Sequence, residues 1–374
     1  MPEYLAPGVY VEETSFRAKS IEGVGTSTTA FVGPTRKGPY RVDNDTPESP
    51  ELLTSYGDFE RIYGGFADLS LGEGVPGTNY MAHAVRAFFN EGGSRLYVSR
   101  VVGASPAAAA VQVVAGTDEA VGFSARFPGA VGNGQIVVRE TATPASETTL
   151  TNAPPGSLVR ATVGGNPTLL VRVGNSWRPA ANLAGEAVTQ ANVLAGTPSL
   201  LTVSVLTIDG DGNSLSFEDM GLASTHPRWI GHVMAATPSR RSDHLQNFYA
   251  ISVGAAVSPS ELHAGLFTGA ANNAAGQPER VWTLTGGTDG AEPTSTNYAL
   301  ALAEIASLED VSIVAAPGSS AYGVDDEDNP QAIASALIAH AEGRRAYRIA
   351  VLDTPPELLP TTARAYRGLF DSKY

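Results

Sequence analysis

Ser319, Ser320 and Asp353 come closest, in residue type and spacing, to a reaction centre. They follow two apolar segments, "VSIVAAPG" and "YRIAVLDTPP", whose patterns predict strands of a parallel sheet. Open α/β sheets bind ligands where their parallel strands end, so these side chains are expected at one end of the sheet. A hydrolase would also need a Gly-x-Ser-x-Gly elbow, which is absent, and the nearest histidine, His340, lies within a predicted helix. The sequence therefore predicts that the chain is not an enzyme.

Two acidic stretches could be taken for metal sites. The stretch "DGDGN", residues 209–213, begins like a calcium loop, but Ser214 and Met220 stand where that loop needs glycine and glutamate. A tight hairpin turn explains it better. In "VDDEDNP", residues 324–330, the acids precede a predicted helix whose N-terminal dipole favours negative charge. Residues 325–328 are therefore expected to form a solvated loop, and the sequence leaves open whether that loop binds an ion.

The rest of the composition predicts neither a cofactor nor a metal. The glycine-rich stretch "GVGTSTT" lacks the lysine of a phosphate-binding loop, and six scattered histidines lack the spacing of metal ligands. The 374 residues include no cysteine, which excludes disulfides and thiolate chemistry. With 38 acidic against 24 basic residues the formal net charge is -14, which disfavours nucleic acid and anionic membranes as partners.

The sequence shows no pattern of a targeting signal or of a membrane-spanning segment. The opening "MPEYLAPGVY" has neither the basic start nor the apolar core of a secretory signal. The apolar runs are shorter than the ~18 residues that suggest a membrane span. The chain is accordingly expected to be made in the cytoplasm, without membrane insertion.

Residues 28–103 have the pattern of alternating strands and helices. The stretch "TTAFVG" predicts a strand, and "SYGDFERIYGG" predicts a short helix that ends at Gly64. In "TNYMAHAVRAFFNEGG" the apolar residues recur at helical spacing, with Thr78 or Asn79 as the N-cap and Gly92 at the C-terminus. The stretch "SRLYVSRVVG" then predicts a second strand.

The same pattern returns near the end of the chain. The stretch "VSIVAAPG" is apolar on both faces, as a central parallel strand must be, and "YRIAVLDTPP" is predicted to be another buried strand. Asn329 is the predicted N-cap of the helix "PQAIASALIAHAEG". Thr361 or Thr362 is the predicted cap of a last helix in "TTARAYRGLFDSKY".

The middle of the chain differs in composition and in its pattern of apolar residues. The stretch "VGFSARFPGAVGNGQIVVRET" predicts two strands around a Gly-Asn-Gly turn, and residues 141–208 hold few charges among short strand patterns. The predicted fold class is α/β plus β, with a discontinuous α/β core domain. Residues 26–103 form its first part and residues 281–374 its second. Residues 104–280 are a β-rich inserted outer domain, with a nested low-charge insertion at about 141–208, and residues 1–25 are an extended arm.

The opening stretch "APGVYVEE" predicts a strand without a neighbour. Its side chains alternate as in a half-buried strand, yet no hairpin turn follows, and a polar tether leads to the next apolar segment. An edge strand of the chain's own domain is one interpretation. The predicted strand residues are Val9, Tyr10, Val11, Glu12 and Glu13.

Several segments together resemble the sheath subunit of contractile phage tails and related contractile injection systems. The resemblance lies in their order and spacing along the whole chain, and residues 141–208 carry least of it. The segments are "APGVYVEE", "TSTTAFVGPTRKGP", "SYGDFERIYGG", "YMAHAVRAFFNEGGSRLYVSRV", "ARFPGAVGN", "LTGGTDG", "DVSIVAAPG" and "AYRGLFDSKY".

The resemblance implies a virion structural protein that forms a helical assembly. Sheath subunits stack around an inner tube and contract on a baseplate signal, and their terminal arms add strands to a shared sheet between subunits. It therefore implies that residues 9–13 exchange with another subunit. Family members continue beyond the position of Tyr374 into a tube-facing domain, so the chain is expected to be a fragment, monomeric when alone. The alternative is a β-rich adhesin or glycan-binding module on an α/β base.

Overall fold

The computed structural model describes residues 28–42, 48–72, 75–115, 120–322, 328–343, 348–356 and 358–373. The fold is mixed α/β with several sheets, which confirms the broad fold class. The strands are β1 (Thr29–Gly33), β2 (Glu51–Leu53), β3 (Leu69–Leu71), β4 (Val75–Gly77), β5 (Leu96–Arg100), β6 (Ala110–Val114), β7 (Val121–Ala125), β8 (Gln135–Pro144), β9 (Leu158–Val163), β10 (Asn166–Val173), β11 (Ser176–Pro179), β12 (Ser199–Ile208), β13 (Ser214–Met220), β14 (Tyr249–Val253), β15 (Ala271–Asn272), β16 (Pro278–Thr283), β17 (Ile313–Ala315) and β18 (Ile349–Val351). The helices are α1 (Tyr56–Tyr63), α2 (Tyr80–Asn90), α3 (Glu147–Asn152), α4 (Gln190–Ala195), α5 (Ile230–Val233), α6 (Arg241–Gln246), α7 (Pro259–Leu266), α8 (Ser295–Ile305), α9 (Asp328–Ala341) and α10 (Pro360–Arg367).

A five-stranded sheet combines the two ends of the described chain. Its order is β18–β17–β1–β5–β2, and every neighbouring pair is parallel except β5 with β2. Strand β1 is buried along its whole length, as expected for a central strand covered on both faces. The pairing of β1 with β17 brings residues 28–103 and 281–374 into one sheet, while the division of the chain into domains stays a prediction.

Helices cover both faces of this sheet, and β1 shows how. Ala30 and Val32 point into a cluster with α8 and α9, whereas Phe31 points into a second cluster with α1 and α2. Successive strand residues face opposite sides, so one strand contributes to two cores. Asn79 accepts a hydrogen bond from the Ala82 amide and caps α2, as predicted.

Two capping predictions near the end of the chain are wrong. Helix α10 begins at Pro360 after Leu359, which makes no side-chain cap, so neither Thr361 nor Thr362 is the N-cap. Asn329 lies inside α9, and its side-chain oxygen accepts a hydrogen bond at 2.9 Å from the Ser295 amide at the start of α8. Asn329 therefore satisfies a free amide of the neighbouring helix instead of one in its own.

The predicted burial of "YRIAVLDTPP" is also wrong. Strand β18 pairs only with β17 among the described strands, and it is an edge of the five-stranded sheet. Ile349 and Val351 are 58% and 50% exposed. A short apolar run is expected to be buried, but the pattern alone does not show whether a neighbouring element covers both faces.

The β-rich part consists of an eight-stranded and a three-stranded sheet. The larger follows the order β11–β10–β9–β12–β8–β16–β15, with β13 also paired to β12, and the smaller is β14–β7–β6. Strands β12 and β8 pair in antiparallel register over ten residues each, and one cluster of buried side chains joins both sheets. Strands β7 and β8 belong to different sheets, so the predicted turn at Gly132–Gly134 does not make them a pair. Residues 141–208 also contain the short helices α3 and α4.

Candidate functional site

A buried polar junction links the five-stranded sheet to the β-rich part. It forms where the loop after β1, the end of β5, the loop between β7 and β8, the β12–β13 turn and the loop after β16 meet. Five of its charged residues are less than 10% exposed, and Asp211 lies at its rim. The residues of the junction are Arg36, Lys37, Arg100, Asp209, Asp211 and Asp289.

Two ion pairs fix the β12–β13 turn to the loop after β1. Lys37 Nζ lies 3.2 Å from Asp209 Oδ2, and the guanidinium of Arg36 pairs with the Asp211 carboxylate, with Nε 3.3 Å from Oδ2. Asp209 Oδ1 also accepts hydrogen bonds from the backbone amides of Asp211 and Asn213, at 3.1 and 2.9 Å. The predicted hairpin turn is confirmed, and its two acids are neutralised by cations of the protein itself.

Arg100 holds the end of β5 to two loops. Its guanidinium donates to the carbonyl of Gly38 at 2.9 Å and to that of Pro128 at 2.8 Å. Burial lowers the pKa of Arg100 to about 10, since its charge is taken out of water. The arginine therefore acts as a buried cross-link between backbone segments.

Asp289 and Asn133 tie the loop after β16 to the loop between β7 and β8. The Asp289 carboxylate accepts hydrogen bonds from the amides of Ser70 and Ala130, both at 2.8 Å. Asn133 donates to the Gly287 carbonyl at 2.9 Å and accepts from the Gly287 amide at 2.8 Å. The quoted segments "ARFPGAVGN" and "LTGGTDG" thus contact each other directly.

Glycine is required in the junction because backbones approach closely. A Cβ on Gly129 would lie 2.3 Å from the Arg36 carbonyl oxygen, and one on Gly287 would lie 2.5 Å from the Gly129 carbonyl oxygen. Gly129 also has a φ of +148°, which side chains rarely adopt. Any larger residue would push the loops apart.

A cleft of about 400 Å³ lies beside the junction, between α1, the β12–β13 hairpin and the start of β14. Lys37 extends over the Phe248 ring, with Nζ 4.9 Å from the ring centroid, so the cation and the aromatic face satisfy each other. Arg61 at the rim pairs with Asp58 at 2.8 Å. These contacts make the cleft a part of the junction. Among the described residues that line the cleft, no nucleophile stands beside a base.

The structure brings Ser319, Ser320 and Asp353 to one end of the five-stranded sheet, as predicted. The Asp353 carboxylate accepts a hydrogen bond from the Gly318 amide at 2.5 Å, and Ser320 Oγ donates to the Thr354 carbonyl at 2.8 Å. Burial raises the pKa of Asp353, against the effect of that amide. These polar groups join the loops that follow β17 and β18.

His340 lies away from that group. It contacts the guanidinium of Arg348, which precedes β18, whereas Asp353 follows the same strand. Burial, together with the charge of Arg348, lowers the pKa of His340 to about 4. Arg348 also donates to the Ile305 carbonyl at 3.0 Å and to the Val311 carbonyl at 3.2 Å. His340 is therefore a neutral partner of a structural arginine.

A second polar cluster lies within the β-rich part. Glu140 of β8, which is 1% exposed, accepts two hydrogen bonds of 2.8 Å from Arg160 of β9 and lies 2.6 Å from His263 Nε2 of α7. Burial alone would raise the pKa of Glu140, but the bonds from His263 and Arg160 lower it to about 2. The cluster joins two strands of the large sheet to a helix.

The predicted exchange residues Val9, Tyr10, Val11, Glu12 and Glu13 lie outside the described residues, and so do residues 325–327 of the acidic loop. Of the charged residues of the junction, Asp209 and Asp211 belong to the predicted hairpin turn at residues 209–213, whereas no role was predicted from the sequence for the other four. Lys37 and Asp289 nevertheless stand beside glycines in "TRKGP" and "GTDG", a pattern that indicates tight loops. Across the described part of the chain, no group of three or more His, Asp or Glu residues is arranged to hold a metal.

No protein-family model matches the chain, and no curated protein matches its sequence. Among the helices that the structure describes, none has both the length and the apolar composition to cross a membrane.

Proposed function

We propose that the chain is a structural subunit of a contractile tail sheath, in a phage tail or a contractile injection system. In that role it polymerises around an inner tube and contracts to drive the tube through a target envelope. Its partners are other sheath subunits, with the inner tube and the baseplate engaged through the further C-terminal domain that the family has. It is not an enzyme and needs no cofactor.

One observation carries the proposal: segments that resemble the family, although far apart in sequence, converge on the junction. Arg36 comes from "TSTTAFVGPTRKGP", Arg100 from the β5 segment and Asp289 from "LTGGTDG". Their side chains bond backbone groups and acids of other loops. Contacts of this kind hold the loops in one fixed arrangement, as a subunit that moves as a rigid body requires.

The junction also suits the mechanics of a contracting lattice. Rigid-body movement of subunits requires that the parts of each subunit keep their relative positions while contacts between subunits change. Buried, hydrogen-bonded charge pairs such as Lys37–Asp209 resist separation, because breaking one leaves an uncompensated charge. In the proposed function the junction transmits movement between the five-stranded sheet and the β-rich part.

The exchange of residues 9–13 with another subunit belongs to the same proposal. Strand addition would connect subunits through backbone hydrogen bonds, with the alternating side chains fixing the register. Nucleic acid and membrane are not partners in this function, consistent with the net charge of -14.

The adhesin or glycan-binding alternative has less support. Such a site needs exposed aromatic rings, and Trp177, the tryptophan of residues 141–208, is 1% exposed inside a hydrophobic cluster with Leu150 and Val193. A ring packed in this way is not free to stack on a sugar.

Immuno-electron microscopy of particles from the producing cells tests the proposal. Antibodies raised against the full chain are expected to label contractile particles along the whole tail, with the label spacing shortening after contraction. Label confined to fibres or tail tips would support the adhesin instead. If contractile particles carry no label at all, the proposal fails.

A further inference from the structure

A small cavity lies beside the end of β5, where this strand approaches α8. Its volume is about 140 Å³, and it is bounded by the segment after β1, the segment after β5 and the first turns of α8. Arg41 and Arg100 both line it, and none of the described residues that line it is acidic. Val42, also in the lining, is 60% exposed, so one side of the cavity is near the surface.

Arg100 carries a buried positive charge without an ion-pair partner. The residue is 3% exposed, and no carboxylate in the part of the chain that the structure describes pairs with its guanidinium. Its Nη atoms donate to the Gly38 and Pro128 carbonyls, whereas its Nε has no hydrogen-bond partner. Asp289 of the junction accepts from backbone amides instead. Buried charges in proteins are normally paired, so an anion is expected beside Arg100.

Arg348, which is also 3% exposed, shows how this chain satisfies a buried guanidinium without a carboxylate. Its Nε donates to the Val311 carbonyl at 3.2 Å, and its other nitrogens contact His340 and the carbonyls of Ile305 and Leu308. The latter two carbonyls lie at the C-terminal, negative end of the α8 dipole. Arg100 lacks a comparable partner at Nε, which a bound anion would supply.

Further hydrogen-bond donors belong to residues that line the cavity. The Asn297 side-chain oxygen accepts from the Thr294 amide and hydroxyl, both at 2.9 Å, so the Nδ2 group of Asn297 is left to donate. The amides of Val102 and Gly103 donate to no carbonyl within the described ranges. Donors on both the β5 side and the α8 side suit an oxyanion, which accepts several hydrogen bonds at once.

The size of the cavity limits the ligand to a small ion. Pockets for drug-sized ligands have about 300–1,000 Å³, so a cavity of about 140 Å³ is too small for a nucleotide or a peptide. Phosphate, sulfate and a short carboxylate such as acetate share the oxyanion chemistry that arginine recognises. The two arginines make this a local positive region in a chain whose net charge is -14.

We infer that the cavity beside Arg100 binds a small oxyanion: phosphate, sulfate or a short carboxylate. The oxyanion would compensate the charge of Arg100 and join the end of β5 to the first turns of α8. The inference goes beyond the proposed function and does not depend on it.

Titration of the full chain with sodium phosphate, sodium sulfate and sodium acetate tests the inference. Each titration is compared with sodium chloride at the same ionic strength, and the amide chemical shifts of Val102 and Gly103 are followed by NMR. We expect saturable shifts with at least one oxyanion, and the tightest of the three identifies the class. No saturable shift with any of them would overturn the inference, as would equal affinity for chloride.

The variant Asn297→Asp tests whether the binding takes place in this cavity. Aspartate keeps the oxygen that accepts from Thr294 and adds a negative charge beside the cavity. We expect its oxyanion affinity to fall at least tenfold. Its thermal midpoint without added oxyanion is expected to rise, because the new charge compensates Arg100.

The matched control is Thr296→Asp, which lies on the same turn of α8 but outside the cavity lining. It gains the same benefit from the helix dipole, and its oxyanion affinity is expected to change less than twofold. Leu300→Phe fills the cavity without adding a charge and is expected to weaken binding at least tenfold without raising the midpoint. Circular dichroism checks that each variant is folded. Unchanged affinity in Asn297→Asp or in Leu300→Phe, or equal losses in the two aspartate variants, would overturn the inference.

Discussion

Removing the Asp289 carboxylate is the sharpest test of the junction. In Asp289→Ala the amides of Ser70 and Ala130 lose the acceptor that each contacts at 2.8 Å. An unsatisfied buried donor costs about 1–3 kcal/mol, and these two amides are partly buried, so we expect a loss of about 2–4 kcal/mol for the pair. Water cannot readily replace the carboxylate, which is 3% exposed.

Native-state hydrogen exchange measures this effect at the residues concerned. Exchange reports the opening of these two amides separately, which one unfolding midpoint for the whole chain does not. We expect exchange at the Ser70 and Ala130 amides to be at least about 30-fold faster in Asp289→Ala, since 1.4 kcal/mol corresponds to tenfold. Asp289→Asn keeps one oxygen acceptor and is expected to show a smaller increase.

The matched control is Asp310→Ala. Asp310 is 41% exposed and pairs with Arg95 at 2.9 Å on the surface, so its removal is expected to cost less than about 1 kcal/mol and to leave both amides protected. If Asp289→Ala exchanged like Asp310→Ala at these positions, the reasoning that the junction fastens the loops would be refuted.

Three further predictions concern buried groups. Glu140→Gln weakens the bonds to Arg160 and is expected to lower the stability by about 1–2 kcal/mol after allowing for solvent screening. Glu279→Gln, at the partly exposed pair with Arg139, is expected to change the thermal midpoint little, and an equal fall of the midpoint in both variants would contradict this. The stability that Glu140 contributes is present above pH 4.5 and is lost as the pH falls towards its folded pKa of about 2. The folded pKa of His340 is about 4, so His340 makes the protein less stable as the pH falls from 6.5 to 4. In His340→Leu the urea-denaturation midpoint is expected to depend less on pH over that range. An unchanged pH dependence of the midpoint would argue against a buried neutral imidazole. Gly129→Ala is expected to lower the free energy of unfolding by more than about 2 kcal/mol in urea denaturation, because the new Cβ meets the Arg36 carbonyl. Gly212→Ala, with φ +86° and no atom close to the new Cβ, is expected to lower it by only about 1 kcal/mol. Equal losses would show that backbone strain alone matters.

Local patterns predicted the regular elements well where the signal is local. The spacing of the apolar residues of α2, its Asn79 cap and the end of α1 at Gly64 all depend on residues within one or two turns, and the structure has them as predicted. The strands β1 and β17 were also predicted, and for β17 the signal was a run that is apolar on both faces.

The errors concern neighbours that are distant in sequence. Strand β18 has an apolar run similar to that of β17, but no described strand pairs with its outer side, and Ile349 and Val351 stay exposed. Asn329 has the preferences of an N-cap but satisfies the Ser295 amide of another helix. The ion pairs of the junction join residues over 170 positions apart, such as Lys37 and Asp209, which no local pattern reveals.

The placement of β17 beside β1 has a consequence for biosynthesis. Thr29 pairs with Ile313, so the central strand emerges from the ribosome long before its neighbour. The intervening strands β6–β16 make their strand pairings among themselves and can fold first, whereas β1 is left with an unpaired apolar edge until β17 is made. Contacts of such long sequence separation slow folding. The nascent chain is therefore most prone to aggregate during synthesis of residues 34–312, and chaperone binding to β1 is expected in that interval.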